Sequence, residues 1–334
     1  MTSFLRPVLG AVAVLLLLLL GLAFYWSSEP DFMTLKSASS VSRELQTTGS
    51  DTPVKSVVGY ATTQTLIQTV DTLLNKPGGY LSNDVMPPSV FLDNLPNWEF
   101  GVLQQVRDLA KSLRNDYSRS QTQSVADPDL EVAEPRFNVN SEAWIFPSAE
   151  GEYARGNEAL KRYLVRLSDQ SQKDAQFYAR ADNLNEWLSL VEKRLGSLSQ
   201  RLSAARPQAR LNTDLAGDAN AQQSTEADAE VVAKVSWFQI DDNFYEARGT
   251  AWALIHFLRA AEIDFRPVLE DKNALPTLRQ IIRELESTQQ TMVSPMVLNG
   301  SGMGVFANHS LVMSSYIARA NAAIADLRRL LADG

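Results

Sequence analysis

The chain has no cysteine and only two histidines, His256 and His309, in 334 residues. The first absence removes disulfides, thiolate metal sites, a cysteine nucleophile and lipoprotein-type acylation. The second all but removes a multi-histidine metal centre, so neither a metal site nor a cofactor is expected. Basic residues are also in short supply. Lys and Arg number 31 against 39 Asp and Glu, a formal charge of −8, with no Lys/Arg block anywhere. That balance argues against a general nucleic-acid binder, whose footprint is basic, and offers no polybasic patch for a membrane surface. Alternating apolar and polar runs of the strand type are scarce too, with Ala143–Phe146 the nearest approach.

What is present first is a long apolar run. Residues 8–26 read VLGAVAVLLLLLLGLAFYW, without charge or proline. Nineteen residues at about 1.5 Å each give roughly 28 Å, a bilayer core. Tyr25 and Trp26 stand at its end, where amphipathic rings favour the headgroup layer. Arg6 and the amino terminus precede the run, and Glu29 and Asp31 follow it. The positive-inside rule therefore places residues 1–7 in the cytoplasm as a short tail and the remainder outside. A cleaved signal peptide is the competing reading, but the run exceeds a normal h-region and no small-x-small site follows closely. Residues 8–26 are thus expected to remain as an anchor whose partner is the lipid bilayer.

Residues 27–56 are rich in Ser and Thr and suit a stalk. From 57 to 334 the pattern is helical. Apolar positions at helical spacing predict helices over 58–75, 98–117, 148–167, 174–205, 241–261, 275–289 and 309–331. Ser148 followed by Glu150 and Glu152 is an N-cap with an acidic first turn. The most regular stripe runs Phe177, Ala181, Leu184, Leu188, Val191, Leu195, Leu198, Leu202, with a second at Met313, Ile317, Ala320, Ile324, Leu327, Leu331. Both have the four-three spacing of coiled coils. Residues 76–97 carry Pro and Gly breakers, 119–147 look irregular, and 207–235 read as a flexible acidic loop. The expected fold is all-α: one transmembrane helix, then a bundle of about seven helices, some of them long and coiled-coil-like. A short internal echo links Gly79-Tyr-Leu-Ser-Asn-Asp84 with Gly304-Val-Phe-Ala-Asn-His309. A duplicated unit and chance both account for it.

Each candidate site carries two readings. The segment Asn299-Gly-Ser-Gly-Met-Gly304 is unusual in its glycines. Gly300, Ser301, Gly302 and Gly304, with Asn308, can form a ligand-binding loop or a structural turn before the last helix. It is neither a P-loop nor a dinucleotide turn nor a nucleophile elbow. His309 is a candidate general base or a helix-start side chain. His256, within an apolar helix, reads as a core histidine. Asp241, Asp242, Glu246 and Arg248 suit a helix start with local ion pairs, or a cation or sugar site. Trp98, beside Glu99 and Phe100, lines a glycan groove or packs inside. Glu286-Ser287, Ser294-Pro295 and the following glycines fall in the order seen in soluble lytic transglycosylases, with Glu286 as the candidate acid. The aromatic after Glu-Ser and the Gly-Leu-Met-Gln signature of those enzymes are absent.

Five strings are more distinctive than any of these motifs: Leu73-Leu-Asn-Lys-Pro-Gly-Gly-Tyr-Leu-Ser-Asn-Asp84, Asn94-Leu-Pro-Asn-Trp-Glu-Phe100, Phe177-Tyr-Ala-Arg-Ala-Asp-Asn-Leu184, Phe244-Tyr-Glu-Ala-Arg-Gly-Thr-Ala-Trp252, and Asn299 to Gly304 with Ala307-Asn-His-Ser310. In them the chain resembles the bacterial family called domain of unknown function 2333 over almost its full length. The resemblance implies a Gram-negative inner-membrane protein with a periplasmic body, and it brings no activity or catalytic residue. Two functions are therefore expected to compete. One is a non-enzymatic envelope scaffold that binds other envelope proteins or itself. The other is a protein that binds or cleaves cell-wall glycan.

Overall fold

The computed structural model describes residues 2–33, 57–120, 125–169, 174–211, 230–233, 235–292, 294, 296–301 and 305–333. Helix α1 spans Thr2–Trp26. The body follows as α2 (Tyr60–Asn75), α3 (Asn94–Ser112), α4 (Pro128–Phe137), α5 (Ala149–Ser168), α6 (Ala181–Ser203), α7 (Ile240–Asp264), α8 (Arg266–Asp271), α9 (Leu275–Ser287) and α10 (His309–Ala332). The class is all-α. The described exception is a ribbon of two four-residue strands, β1 (Gln208–Leu211) and β2 (Glu230–Ala233), paired antiparallel with Gln208 opposite Ala233. The ends of the expected acidic loop are therefore tied together, while residues 212–229 lie outside the described residues.

The predicted helices recur with shifted ends, each for a local reason. Ser148 caps α5 as expected, its Oγ accepting from the Gly151 amide at 3.3 Å. Helix α3 starts four residues before Trp98. Asp93 accepts from the Asn94 amide, and Pro96 falls in the first turn, where its missing N–H costs nothing. Helix α4 lies inside the stretch expected to be irregular. Asp127 Oδ1 accepts from the amides of Asp129 and Leu130, and Pro128 opens the helix. Helix α6 starts at Ala181 rather than Asp174. Phe177 leaves the stripe and wedges between Tyr117 and Phe265, with ring centroids at 5.0 and 5.7 Å.

Both four-three stripes are consumed within the body. Leu184, Leu188, Val191, Leu195, Leu198 and Leu202 are buried, as are the α10 positions from Met313 to Leu331. Helices α6 and α10 pack antiparallel: Ser314 Oγ donates to the Ser199 carbonyl at one end, and Arg328 meets Asn185 and Glu192 at the other. Neither stripe is left to recruit a partner helix.

Helices α3 and α7 form the centre and run in the same direction, since Asn97 bonds Asp242 near their starts and Tyr117 packs on Phe265 near their ends. Tyr80 meets Tyr153 at the start of α5, and Arg201 near the end of α6 bonds Asn243 and Glu246. One end of the bundle therefore gathers the starts of α3, α5, α7 and α10 with the ends of α2 and α6. Residues Pro7–Trp26 are long and apolar enough to cross a membrane and are not buried in the body. Trp26 abuts Gly78 at this same end.

The expected stalk begins differently. Residues 27–33 lie along α7 instead of standing clear of it. Glu29 pairs with Arg248 at 2.7 Å. Phe32 packs edge-on to His256 at 5.6 Å and under the Arg259 guanidinium. Residues 34–56 lie outside the described residues.

Candidate functional site

Helix α7 crosses α3 at a pair of glycines. A Cβ on Gly249 would lie 2.0 Å from the Trp98 carbonyl oxygen, and one on Gly101 would lie 2.2 Å from that of Glu246. Only hydrogen fits at such a crossing. The close approach brings Trp98 against Trp252, centroids 5.2 Å apart, and leaves Trp98 wholly buried. Trp98 therefore offers no face to a glycan, which corrects that expectation. Its neighbour Glu99 is buried as well. It pairs with buried Lys76 at 2.5 Å and accepts from the amides of Leu81 and Ser82, each at 2.8 Å. Burial pushes the Glu99 pKa up, and the Lys76 ammonium and these hydrogen bonds pull it back. The pair fastens the loop after α2 to the start of α3.

Beside the crossing, Arg248 turns outward into a junction. Its guanidinium donates to both Glu29 oxygens and to the carbonyls of Thr288 and Gln290. The sequence suggested ion pairs with immediate neighbours. The partner instead lies 219 residues away, because the chain after α1 returns over α7, and Glu246 is taken by Arg201.

Arg248 and Phe244 form one wall of a cavity of ≈ 440 Å³ between α7, α9 and α10. Met292, Leu298, Val312 and Met313 supply the apolar lining, and His309 and Tyr316 the polar edges. The size and the mixture of apolar walls with few polar groups fit a small-molecule or side-chain pocket. A second groove of ≈ 340 Å³ lies along α3, α6 and α7. Its Asp108 and Glu246 are already matched by Arg194 and Arg201.

His309 sits at the first position of α10. Its Nδ1 accepts from the Leu298 amide at 3.0 Å, which places the ring proton on Nε2. Burial lowers its pKa, so the ring is neutral near pH 7. The glycine segment behaves as a built turn. Gly300 donates to the Ala307 carbonyl, and its own carbonyl accepts from Arg206 and Asn308. A Cβ on Gly300 would lie 2.0 Å from the Phe306 oxygen. Asn308 also caps α10 through the Leu311 amide. Ser301 is exposed, and Gly302 and Gly304 lie outside the described residues. In the internal echo, Tyr80 and Leu81 are buried whereas Val305 and Phe306 are exposed, so the two halves occupy unlike environments.

Glu286 is not brought to His309. It pairs with Arg259 at 2.6 Å, with its side chain 39% exposed, and it does not line the cavity. His256 is a core residue as expected. It is wholly buried, it meets Trp252 edge-on, and its Nε2 accepts from the Met33 amide at 3.4 Å. Burial, with help from Arg259, lowers its pKa to about 4. Between pH 6.5 and 4 the unfolded chain takes up a proton that the folded one refuses, so stability is full above pH 6.5 and falls as pH drops toward 4. The loss is on the order of 3 kcal/mol. Thermal unfolding across that window should show a steeper decline in the wild type than in His256→Gln, which keeps an acceptor for Met33. Equal slopes would refute the assignment. Among the described residues no group of three His, Asp or Glu side chains is placed to hold a metal.

Sequence did not mark the cavity. Its walls come from three helices and a loop, and each wall residue is locally an ordinary apolar or helix-start position. Two comparisons of the chain with known proteins, one with curated proteins and one with solved structures, found no match. A family model described as "Uncharacterized protein conserved in bacteria (DUF2333)" matches residues 2–334.

Proposed function

Because the chain belongs to this bacterial family, which carries no activity with it, we propose its function from geometry: a membrane-anchored binding and interaction protein rather than an enzyme. Helix α1 is read as a retained single-pass anchor in the bacterial inner membrane, with the amino terminus cytoplasmic and the body periplasmic. The charge asymmetry around residues 8–26 supports that orientation. The observation that carries the binding role is the apolar cavity at the end of the body where the anchor joins. Arg248 links the two, holding Glu29 of the tether and the loop that closes the cavity.

Glycan cleavage has less support. Its candidate acid is held in an ion pair with Arg259, and a general acid needs a partner-free, desolvated carboxyl. The occupant favoured by Met292, Leu298, Met313 and Phe244 is an apolar or amphipathic group, such as a lipid chain or an apolar side chain of an envelope protein.

In-cell photocrosslinking tests this on the intact protein. A photoreactive residue at Tyr316, at the cavity edge, is expected to give a discrete adduct. Met313→Trp, which fills the cavity, should remove it, and the same probe at exposed Asp326 should give none. A Tyr316 adduct that survives Met313→Trp, or no adduct at all, would count against the cavity as the binding site.

A further inference from the structure

The exposed aromatic residues of the body are not scattered. Outside the anchor and its tether, six stand exposed among the described residues: Phe91, Trp144, Phe146, Trp237, Phe238 and Phe306. Phe146 is 93% exposed and Phe238 84%. Each sits in a turn that leads into α3, α5, α7 or α10, all of which start at one end of the bundle. The turns are tied to one another. Asn83 donates to the Ala143 carbonyl, joining the loop that leads to Phe91 with the one that carries Trp144. Val235 donates to the Ala204 carbonyl and Arg206 to that of Gly300, joining the turns of Trp237 and Phe306. Aliphatic side chains extend the rim, with Met86 72% and Val305 99% exposed.

The opposite end is the internal control. Around the turn that precedes α2, the one between α3 and α4, and the ends of α5 and α7, the exposed large apolar residues are Val58, Val125, Val165 and Ile263, with no aromatic ring among the described residues. Singly exposed apolar residues are ordinary, whereas a clustered set rimming one end marks an interaction surface.

What covers this rim follows from where the anchor joins. Trp26, the last residue of α1, abuts Gly78 and Leu81's neighbourhood at the same end. Glu29 is fixed to Arg248 only three residues later. The body is thus held against the plane from which α1 emerges, with no slack between them. Aromatic rings on loop tips at that plane match the headgroup layer, where an apolar body and a polar edge are both accommodated. The basic side chain that joins these turns, Arg206, is spent on the Gly300 carbonyl, so apolar insertion rather than charge attraction is the contact proposed.

We propose that the aromatic loop tips around Phe91, Phe146, Phe238 and Phe306 insert into the interfacial layer of the bilayer that α1 spans, seating the body flat on the membrane with its cavity mouth at the lipid surface. This rests on the reading of α1 as a retained anchor. The absence of cysteine makes the test direct, since every label is unique. Full-length protein carrying a nitroxide at Phe91→Cys, Phe146→Cys, Phe238→Cys or Phe306→Cys is reconstituted in phosphatidylethanolamine–phosphatidylglycerol vesicles. Accessibility to oxygen and to a water-soluble nickel chelate is then measured. Leu16→Cys in the anchor and Val125→Cys at the far end serve as references.

Rim labels are expected to show several-fold higher oxygen-to-nickel ratios than Val125, approaching that of Leu16. Rim labels as nickel-accessible as Val125, with Leu16 still in lipid, would overturn the seating while leaving the anchor intact. An aqueous Leu16 would overturn both. Rim labels shielded from both reagents would show protein rather than lipid over the rim and would also overturn the proposal. Each label replaces an exposed ring, and unchanged thermal unfolding confirms that the variants are folded.

Discussion

Glu99→Ala is expected to destabilise the body by about 3–5 kcal/mol, the cost of leaving one member of a buried ion pair without its partner. Lys76 and Glu99 are both buried, so removing the carboxylate strands an ammonium in a region closed to water. It also takes the acceptor from the amides of Leu81 and Ser82, and unmet buried donors add their own cost. The loop from Lys76 to Asp84 should then open first, because Glu99 is its main attachment to α3. Denaturant unfolding measures the loss, and limited proteolysis should place new cleavage in residues 76–84. Lys76→Met combined with Glu99→Gln separates charge from fastening. Leu81 and Ser82 donate to different oxygens of Glu99, so glutamine keeps an acceptor for one of the two amides, and methionine removes the orphaned charge; the pair should regain part of the lost stability. If the double variant is as unstable as Glu99→Ala, the ion pair is not the cause.

That clamp also shows how the sequence could be read and where it could not. The strings Lys76–Asp84 and Asn94–Phe100 stand out as residues, but nothing local indicates that Lys76 and Glu99 meet. Their contact depends on a loop folding back across the start of α3. Elements whose signals are local were legible. Ser148 announces its helix by capping, and the α6 and α10 stripes announce a buried face by spacing. Helix α4 had the right signals in Asp127, Pro128 and Asp129 but was obscured by its ten-residue length and by Pro135. Phe177 matched the α6 stripe by spacing alone and was claimed by an aromatic cluster with Tyr117 and Phe265 instead. The candidate site was least legible. His309 is at its edge, yet Arg248, Met292 and Tyr316 converge only after three helices pack. Glu286 shared a sequence neighbourhood with them and turned to Arg259 on another side of α9.

Gly249→Val is expected to be at least as damaging, at or above about 3 kcal/mol, the upper part of the range for overfilling a packed interior. The obstacle to a side chain there is the Trp98 carbonyl and its Cα, at 2.0 and 3.0 Å from the added Cβ. Backbone within a helix cannot rotate aside as a flexible side chain would, so α3 and α7 must separate. Gly101→Val meets the same limit from the other helix, at the Glu246 carbonyl and the Thr250 amide nitrogen. Gly196→Ala is the control. Its Cβ would find only the Asn321 amide nitrogen at 3.6 Å, and it should stabilise α6 by about 0.5–1 kcal/mol because glycine disfavours helix interiors. Unfolding transitions of the three variants decide the matter, and a Gly249→Val protein that melts with the wild type would refute the close crossing. The consequence reaches the end of the body where α1 joins. Arg248 directly precedes Gly249, so displacing α7 pulls the guanidinium from Glu29 and from the carbonyls of Thr288 and Gln290. The tether and the cavity wall should loosen together, and even a partly folded Gly249→Val protein should lose the crosslink at Tyr316.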